Sequence, residues 1–282
     1  MKKPLWRRVK WRDLASCENF LRGCEKYCVS ACSRFCSRAR GDRFWAFSGG
    51  GGESRALLFC HHRILFPVFA APLSRDIPAP DFLGRFILLN PLHAIQGLPS
   101  VTEIFEEALN GLGYEKTDQF DYDLMGLDRE PDPESLRAGP AGLALVKPGM
   151  GDLEEMLPLQ ADYDREEVLP RGSEFKAENS RLGLSGIIGR EQVLAAKIGG
   201  KIVGKINTNA ESFTRFQIGG VYVRPGYRGL GIARRMTAAL SSSLLAQGKA
   251  VTLFVKKNNP AARSVYRKVG FESICDYRIC YY

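Results

Sequence analysis

Short apolar runs alternate with stretches of helical periodicity along this chain, and the alternation predicts two α-plus-β modules in tandem. The second is the clearer. Residues 142–146 read as a strand, and the spacing of Leu153, Met156, Leu157 and Leu159 predicts a helix over 151–167, with Pro158 expected to kink or break it. Residues 174–188 read as a second helix. Strands over 193–198 and 202–206 flank Gly199-Gly200-Lys201, a hairpin signal. A long strand over 213–223 contains Gly219-Gly220, and glycine inside a strand marks a bulge or a close backbone approach to a ligand. Residues 252–255 form a short apolar strand. A helix over 261–269 follows, with Asn259 as cap, Pro260 at its first position and Gly270 at its end. Phe271 opens a last strand. The order is β-α-α-β-β-β-α-β-α-β.

The first half echoes this order less distinctly. Residues 5–11 read as a strand and 14–35 as one long amphipathic helix. Strands over 44–47 and 56–60 flank a glycine-rich hairpin turn at 48–53. Residues 85–89 look strand-like, 101–109 helical, and 122–125 a late strand. The polar, proline-rich run over 128–141 reads as a linker. The 282 residues suffice for two domains. The expected division is an N-terminal α+β domain over 1–130, a linker over 131–141 and a second domain over 142–282.

Chemistry concentrates in Val221-Tyr-Val-Arg-Pro-Gly-Tyr-Arg-Gly-Leu-Gly-Ile-Ala-Arg-Arg-Met236. A strand runs into a glycine-rich turn that opens a helix. Such a junction leaves backbone N–H groups without internal partners, and the helix N-terminus adds partial positive charge. The turn is thus an anion site of the kind that takes phosphate. Gly229 and Gly231 allow close approach and positive φ, and Arg228 and Arg234 add full charges. The turn lacks the spacing and the Lys-Ser or Lys-Thr of a Walker loop. It also lacks the third glycine of a dinucleotide fingerprint and the acidic residue that follows one.

What fits is Arg-x-x-Gly-x-Ala at Arg228, Gly231 and Ala233. With Asn259…Ala262…Tyr266…Gly270-Phe271 following, residues 142–282 resemble the GNAT superfamily of acyl-CoA-dependent N-acyltransferases. The resemblance implies an α/β (α+β) fold with a mixed, mostly antiparallel sheet flanked by helices. In it the fourth strand bulges and splays from the fifth, and the acyl chain sits in that wedge. The co-substrate implied is acetyl-CoA, with no metal. Arg228, Gly229, Gly231 and Ala233 would cradle its pyrophosphate, with N–H groups from Leu230 and Ile232. Backbone groups along Val221, Tyr222 and Val223 would pair with the pantetheine amides like an added strand. Asn259 would bond the pantetheine arm or only cap its helix. Tyr266 is the implied general acid, its phenol protonated at neutral pH.

No carboxylate lies on the fourth strand, Arg215-Phe-Gln-Ile-Gly-Gly220, so the general base is open. Glu166, Glu167 and Glu174 are candidates for that base or for binding a cationic amine; the other reading is a solvated acidic face. The activity implied is N-acetyl transfer by direct attack of a primary amine of a small molecule, peptide or protein. A non-catalytic acyl-CoA-binding module is the alternative. The first half resembles a degenerate GNAT-like repeat, as in bacterial tandem proteins. Around Gln96-Gly97-Leu98-Pro99-Ser100 the second glycine is missing and Pro99 removes a donor, so this half is not expected to bind the cofactor in the standard way.

Net charge is +9, and residues 1–60 hold 13 Lys or Arg against 5 Asp or Glu. This basic arm, with Trp6 and Trp11 among its cations, keeps nucleic acid open as a partner beside the plainer reading of a solvated helix face. Five of the eight cysteines lie at 17, 24, 28, 32 and 36, and the spacing of four from Cys24 to Cys36 puts them along one helical stripe. Consecutive turns of one straight helix cannot close a tetrahedron around a zinc ion, so packed thiols of a reduced protein are expected. No signal sequence or membrane-spanning run is visible, and the expectation is a soluble, cytoplasmic protein.

Overall fold

The computed structural model describes residues 5–37, 42–48, 54–70, 77, 79–89 and 91–282. Two compact units emerge: residues 1–124 with 275–282, and residues 125–274. The sequence divides the chain at 131–141; the units divide within the strands over 118–127 and 272–281.

In the first unit, β1 (Leu5–Arg8) is followed by α1 (Leu14–Cys24), α2 (Val29–Ser37), β2 (Arg43–Ser48), β3 (Ser54–His61) and β4 (Ile64–Phe69). Then come α3 (Leu83–Leu89), β5 (Ala94–Gly97), α4 (Pro99–Gly111) and β6 (Asp118–Leu127). Strands β1 to β4 pair antiparallel in chain order, and β5 adds parallel to β4. The last residues of the chain complete this sheet: in β12 (Glu272–Tyr281), Arg278 to Tyr281 run antiparallel to β5. The core packs Leu58, Leu65, Ile87, Ile95, Phe105 and Leu109.

Two expectations for this unit are corrected. The single helix over 14–35 is two, because Cys28 leaves the helical region at φ −146°, ψ 42°. The break re-aims α2 so that both pieces bury an apolar face, Cys17, Leu21 and Cys24 on one and Val29, Cys32 and Phe35 on the other. Residues 85–89 are not a strand but part of α3. Leu83, Phe86 and Ile87 are buried while Leu88 and Leu89 are exposed, which is a helical period that a five-residue apolar run hides. Gln96-Gly97-Leu98-Pro99-Ser100 joins β5 to α4. The glycine-rich turn expected at 48–53 has residues 49–53 outside the described ones.

The second unit repeats the element order. After α5 (Pro133–Arg137) come β7 (Ala144–Val146), α6 (Leu153–Tyr163), α7 (Ala177–Arg190), β8 (Val193–Ile198), β9 (Lys201–Glu211) and β10 (Arg215–Val223). Then α8 (Ile232–Leu245), β11 (Ala250–Lys256) and α9 (Pro260–Val269) lead to β12. Strands β7 to β10 are antiparallel in chain order, and β11 lies parallel to β10. Side chains are divided between two cores, and the register shifts in the β8–β9 and β9–β10 ladders switch which positions face which. Val203, Ile206, Phe216 and Ile218 face α8 and α9, with Met236, Leu240 and Val269. Ile202 and Tyr222 face α6 and α7, with Met156, Leu159 and Leu184.

Helix α6 runs through Pro158 without the expected break. The proline lies on the exposed side beside exposed Glu154, so the carbonyl it leaves without a donor is in reach of water. The expected linker is not free chain: Ser135 is fully buried, its hydroxyl donates to the Lys268 carbonyl, and Asp132 N–H donates to the Val269 carbonyl. Among the described residues no helix is long and apolar enough to cross a membrane.

One irregularity positions the site. The β10–β9 ladder pairs Gly219 with Asn207 and next pairs Tyr222 with Lys205, a bulge at residues 220 and 221. Gly220 has φ 59°, and a Cβ there would collide with the Asn207 side chain. Gly220→Ala should therefore destabilise the protein by about 1–3 kcal/mol, measured by urea unfolding.

Candidate active site

Two geometric facts open a cavity in the second unit. The parallel β10–β11 register runs from Arg215–Ala250 to Ile218–Leu253 and ends there, and the bulge follows immediately. Between the end of β10 and the start of α9 lies a cavity of about 500 Å³. Residues 221–223 of β10 form one wall; Asn259, Ala262 and Tyr266 of α9 form another; the turn into α8 closes one end.

That turn is built for an anion. Gly229 and Gly231 both sit at φ 79°, the left-handed region that only glycine enters without cost. Gly231 also packs so closely that a Cβ would stand 3.0 Å from the Gly139 nitrogen. Among the described residues, none of the backbone N–H groups of 229–234 has a backbone partner; the Arg235 N–H is the first to bond back, to the Gly231 carbonyl at 3.0 Å. A row of unspent donors at a helix N-terminus, opening on a cavity, fits a diphosphate.

Its two arginines are already oriented. Arg228 donates through Nε to the Val223 carbonyl at 3.0 Å and pairs with Glu166 at 2.9 Å. Arg234 donates to the Ser135 hydroxyl at 2.8 Å and lies 3.6 Å from Asp132 and 3.8 Å from Glu134. The expected linker therefore supplies part of the site, and Ala138 lines the cavity beside Arg234.

Carboxylates and phenols gather at the other end. Tyr222 donates to Glu166 at 2.6 Å. Burial alone would raise the Glu166 carboxyl, but the bonds from Tyr222 and Arg228 outweigh it and hold the group below its ordinary range. Glu166 is thus a committed carboxylate and a weak base. Glu167 lines the same cavity, 3.3 Å from the Lys256 ammonium and 3.4 Å from the Asn259 amide. Tyr266 is buried, and burial, with Tyr163 and Glu167 adding to it, pushes its phenol well above its ordinary value. It keeps its proton at neutral pH.

Most residues expected at the site converge here, namely those of β10, Arg228, Gly229, Gly231, Ile232, Ala233, Asn259, Tyr266 and Glu167. Two stand apart. Glu174 lies outside the cavity, exposed, 3.8 Å from Lys176, and Leu230 is exposed on the turn rather than lining the cavity. Asn259 does cap α9, its carbonyl oxygen accepting the Ala262 N–H at 3.0 Å, which leaves its amide nitrogen facing Glu167. Sequence reasoning missed Tyr227, Val265 and Ala138 as lining, and missed Lys205 altogether. That lysine is 1% exposed, and burial lowers its pKa to about 7 against an opposing pull from Asp164. A lysine inside the strand expected over 202–206, between Gly204 and Ile206, was the available signal. Elsewhere Trp6 packs against Phe47 and Phe69 while Trp11 is exposed. Cys17, Cys24, Cys32, Cys60 and Cys280 are buried free thiols.

Residues 154–271 match the model of the Acetyltransferase (GNAT) family. Over 84 residues, 29% of this chain and 52% of the relative, the sequence is 33% identical to the N-alpha-acetyltransferase RimI of Mycobacterium tuberculosis. The chain thus spans about half the length of the curated relative it matches. A Drosophila protein of known structure superposes with TM-score 0.69 at 12% identity, covering 99% of each chain. A tandem GNAT protein from the clavulanic acid biosynthesis pathway superposes with TM-score 0.59 at 14% identity, covering 99% of this chain and 98% of the other. At such identities these speak for the fold, and they extend it over both units.

Lys205 also sets a pH signature. Its pKa is about 7 folded and 10.5 unfolded, so between these values the unfolded chain carries the extra proton and stability rises with pH. Chemical denaturation should show this slope, at most about 1.4 kcal/mol per pH unit, above pH 7 and before the thiols begin to titrate. Lys205→Met should abolish it.

Proposed function

We propose, from a chain that carries a GNAT-family domain over residues 154–271, that this protein is an acetyl-CoA-dependent N-acetyltransferase acting on a primary amine. One observation carries the reading: unpartnered N–H groups at residues 229–234 open onto a cavity whose other end holds the buried phenol of Tyr266. The residues fit the co-substrate, with donors for a diphosphate, a β10 edge without a β11 partner for an amide-bearing arm, and a proton source beyond.

When bound, acetyl-CoA supplies an acyl group activated toward amines and a thiolate leaving group that needs one proton. The chain's residues then divide the work. The N–H groups of 229–234 and Arg228 grip the diphosphate. Val221 and Val223 offer backbone groups in strand geometry to the arm. As the new C–N bond forms and the C–S bond breaks, Tyr266 donates its proton to the sulfur. Glu167 faces the cavity beside Tyr266 and is the group for holding a cationic amine or taking up its proton. Glu166, bound by Tyr222 and Arg228, orients rather than titrates. The name of the mycobacterial relative, an N-alpha-acetyltransferase, makes the α-amine of a peptide the first acceptor to try.

Calorimetry with acetyl-CoA should show saturable binding to the native protein; none at all rejects the reading. With a competent amine, Tyr266→Phe should lower kcat by about 10²–10⁴-fold while leaving acetyl-CoA affinity unchanged.

A further inference from the structure

Lys205 has no part in the chemistry above, and its position is expensive. A buried ammonium loses its hydration, a penalty of several kcal/mol in practice, and an apolar side chain of like volume would often serve stability better. What it holds explains its presence. Its Nζ donates to the Gly220 carbonyl at 3.0 Å and to Asn207 Oδ1 at 3.3 Å. Asn207 is itself fixed, its amide donating to the Thr208 carbonyl and to Asn209 Oδ1, each at 2.9 Å. The ring centroid of Tyr163 lies 4.8 Å from Nζ. The carbonyl of the bulge glycine is thus held by a buried ammonium.

A trans peptide is planar, so the Gly220 carbonyl and the Val221 N–H point in opposite directions. With the carbonyl turned onto Lys205, the N–H is turned away from it, and Val221 lines the cavity. A cation on the carbonyl end also polarises the peptide and strengthens its N–H as a donor.

We propose that Lys205 is a positioning residue: it fixes the Gly220–Val221 peptide and polarises the Val221 N–H as a donor to the carbonyl oxygen of the acyl group. This rests on the acyl-transfer reading. The groups facing the ammonium are Tyr163 from α6, Asp164 just after it and Tyr222 as its ladder partner. Burial raises both phenols to about 12, so neither titrates near neutrality, whereas Lys205 itself does so at about 7.

The test is isotope-edited infrared spectroscopy of acetyl-CoA labelled with ¹³C at the carbonyl, bound to the full chain. In the native protein the carbonyl band should move to lower frequency than in free acetyl-CoA, and the displacement should shrink as pH rises through about 7. Lys205→Met should lose most of the displacement while calorimetry shows acetyl-CoA affinity retained, a split that a merely structural role would not produce. A folded variant that keeps the full displacement overturns the proposal. If the variant does not fold, the native pH series decides alone, and a displacement constant across that range overturns it. No binding to the native protein would bring down the acyl-transfer reading itself, and this inference with it.

Discussion

Strand β10 leaves its neighbour halfway along, and the site depends on that departure. Hydrogen bonding to β11 ends at Ile218–Leu253, and the bulge at residues 220 and 221 follows at once. A strand in mid-sheet normally spends every N–H and C=O on its neighbours. Here the end of β10 borders a cavity instead, and backbone groups that would have closed a ladder face it. The turn into α8 continues the same principle, since its glycines hold N–H groups that the helix geometry cannot satisfy. Recognition along this edge is therefore a matter of main-chain donors, with side chains setting their direction.

Charge in the cavity is organised before any ligand arrives. Arg228 is shared between the Val223 carbonyl and Glu166, and Glu166 between Arg228 and Tyr222. Arg234 is steered by Ser135, Asp132 and Glu134. These are half-exposed pairs, worth little to stability individually; their effect is to restrict the side chains to one region before binding. An anion entering the turn competes with Glu166 for Arg228. A second contact of Glu166, the hydrogen bond from Tyr222, keeps that carboxylate in place when the first is weakened.

Much of this was legible in the sequence, and the reasons differ by element. The Gly229 and Gly231 turn could be read because only glycine tolerates its backbone angles and the flanking strand and helix are strongly patterned. The cap at Asn259 and the stop at Gly270 could be read for the same kind of reason: the residue types have local geometric roles. What failed was anything decided by tertiary packing. Cys28 breaks a helix that periodicity alone would continue, so that two apolar faces are buried rather than one. The five-residue apolar run at 85–89 fits a strand or a helix equally until its burial is known. The run over 128–141 has a linker's composition, yet Ser135 and Ala138 reach the site through contacts with residues about a hundred positions later. Lys205 was missed because its partner, the Gly220 carbonyl, lies on a neighbouring strand.

The two units show how little of the fold the chemistry needs. Both follow the order β-α-α-β-β-β-α-β-α-β, and in both the fourth and fifth strands are parallel. By this correspondence the counterpart of the glycine turn lies between β4 and α3, not at Gly97, the last residue of β5, after which Leu98-Pro99 matches Asn259-Pro260 after β11. The sequence between β4 and α3 contains no glycine and carries Pro72, Pro78 and Pro80. Without glycine, and with three residues that carry no N–H, that stretch of sequence has no counterpart to Gly229 and Gly231. The scaffold still constrains the whole chain: Arg278 to Tyr281 close the free edge of β5. An uncovered β5 would present unpaired N–H and C=O groups to any passing strand, so residues 278–281 protect the edge of the first unit's β5.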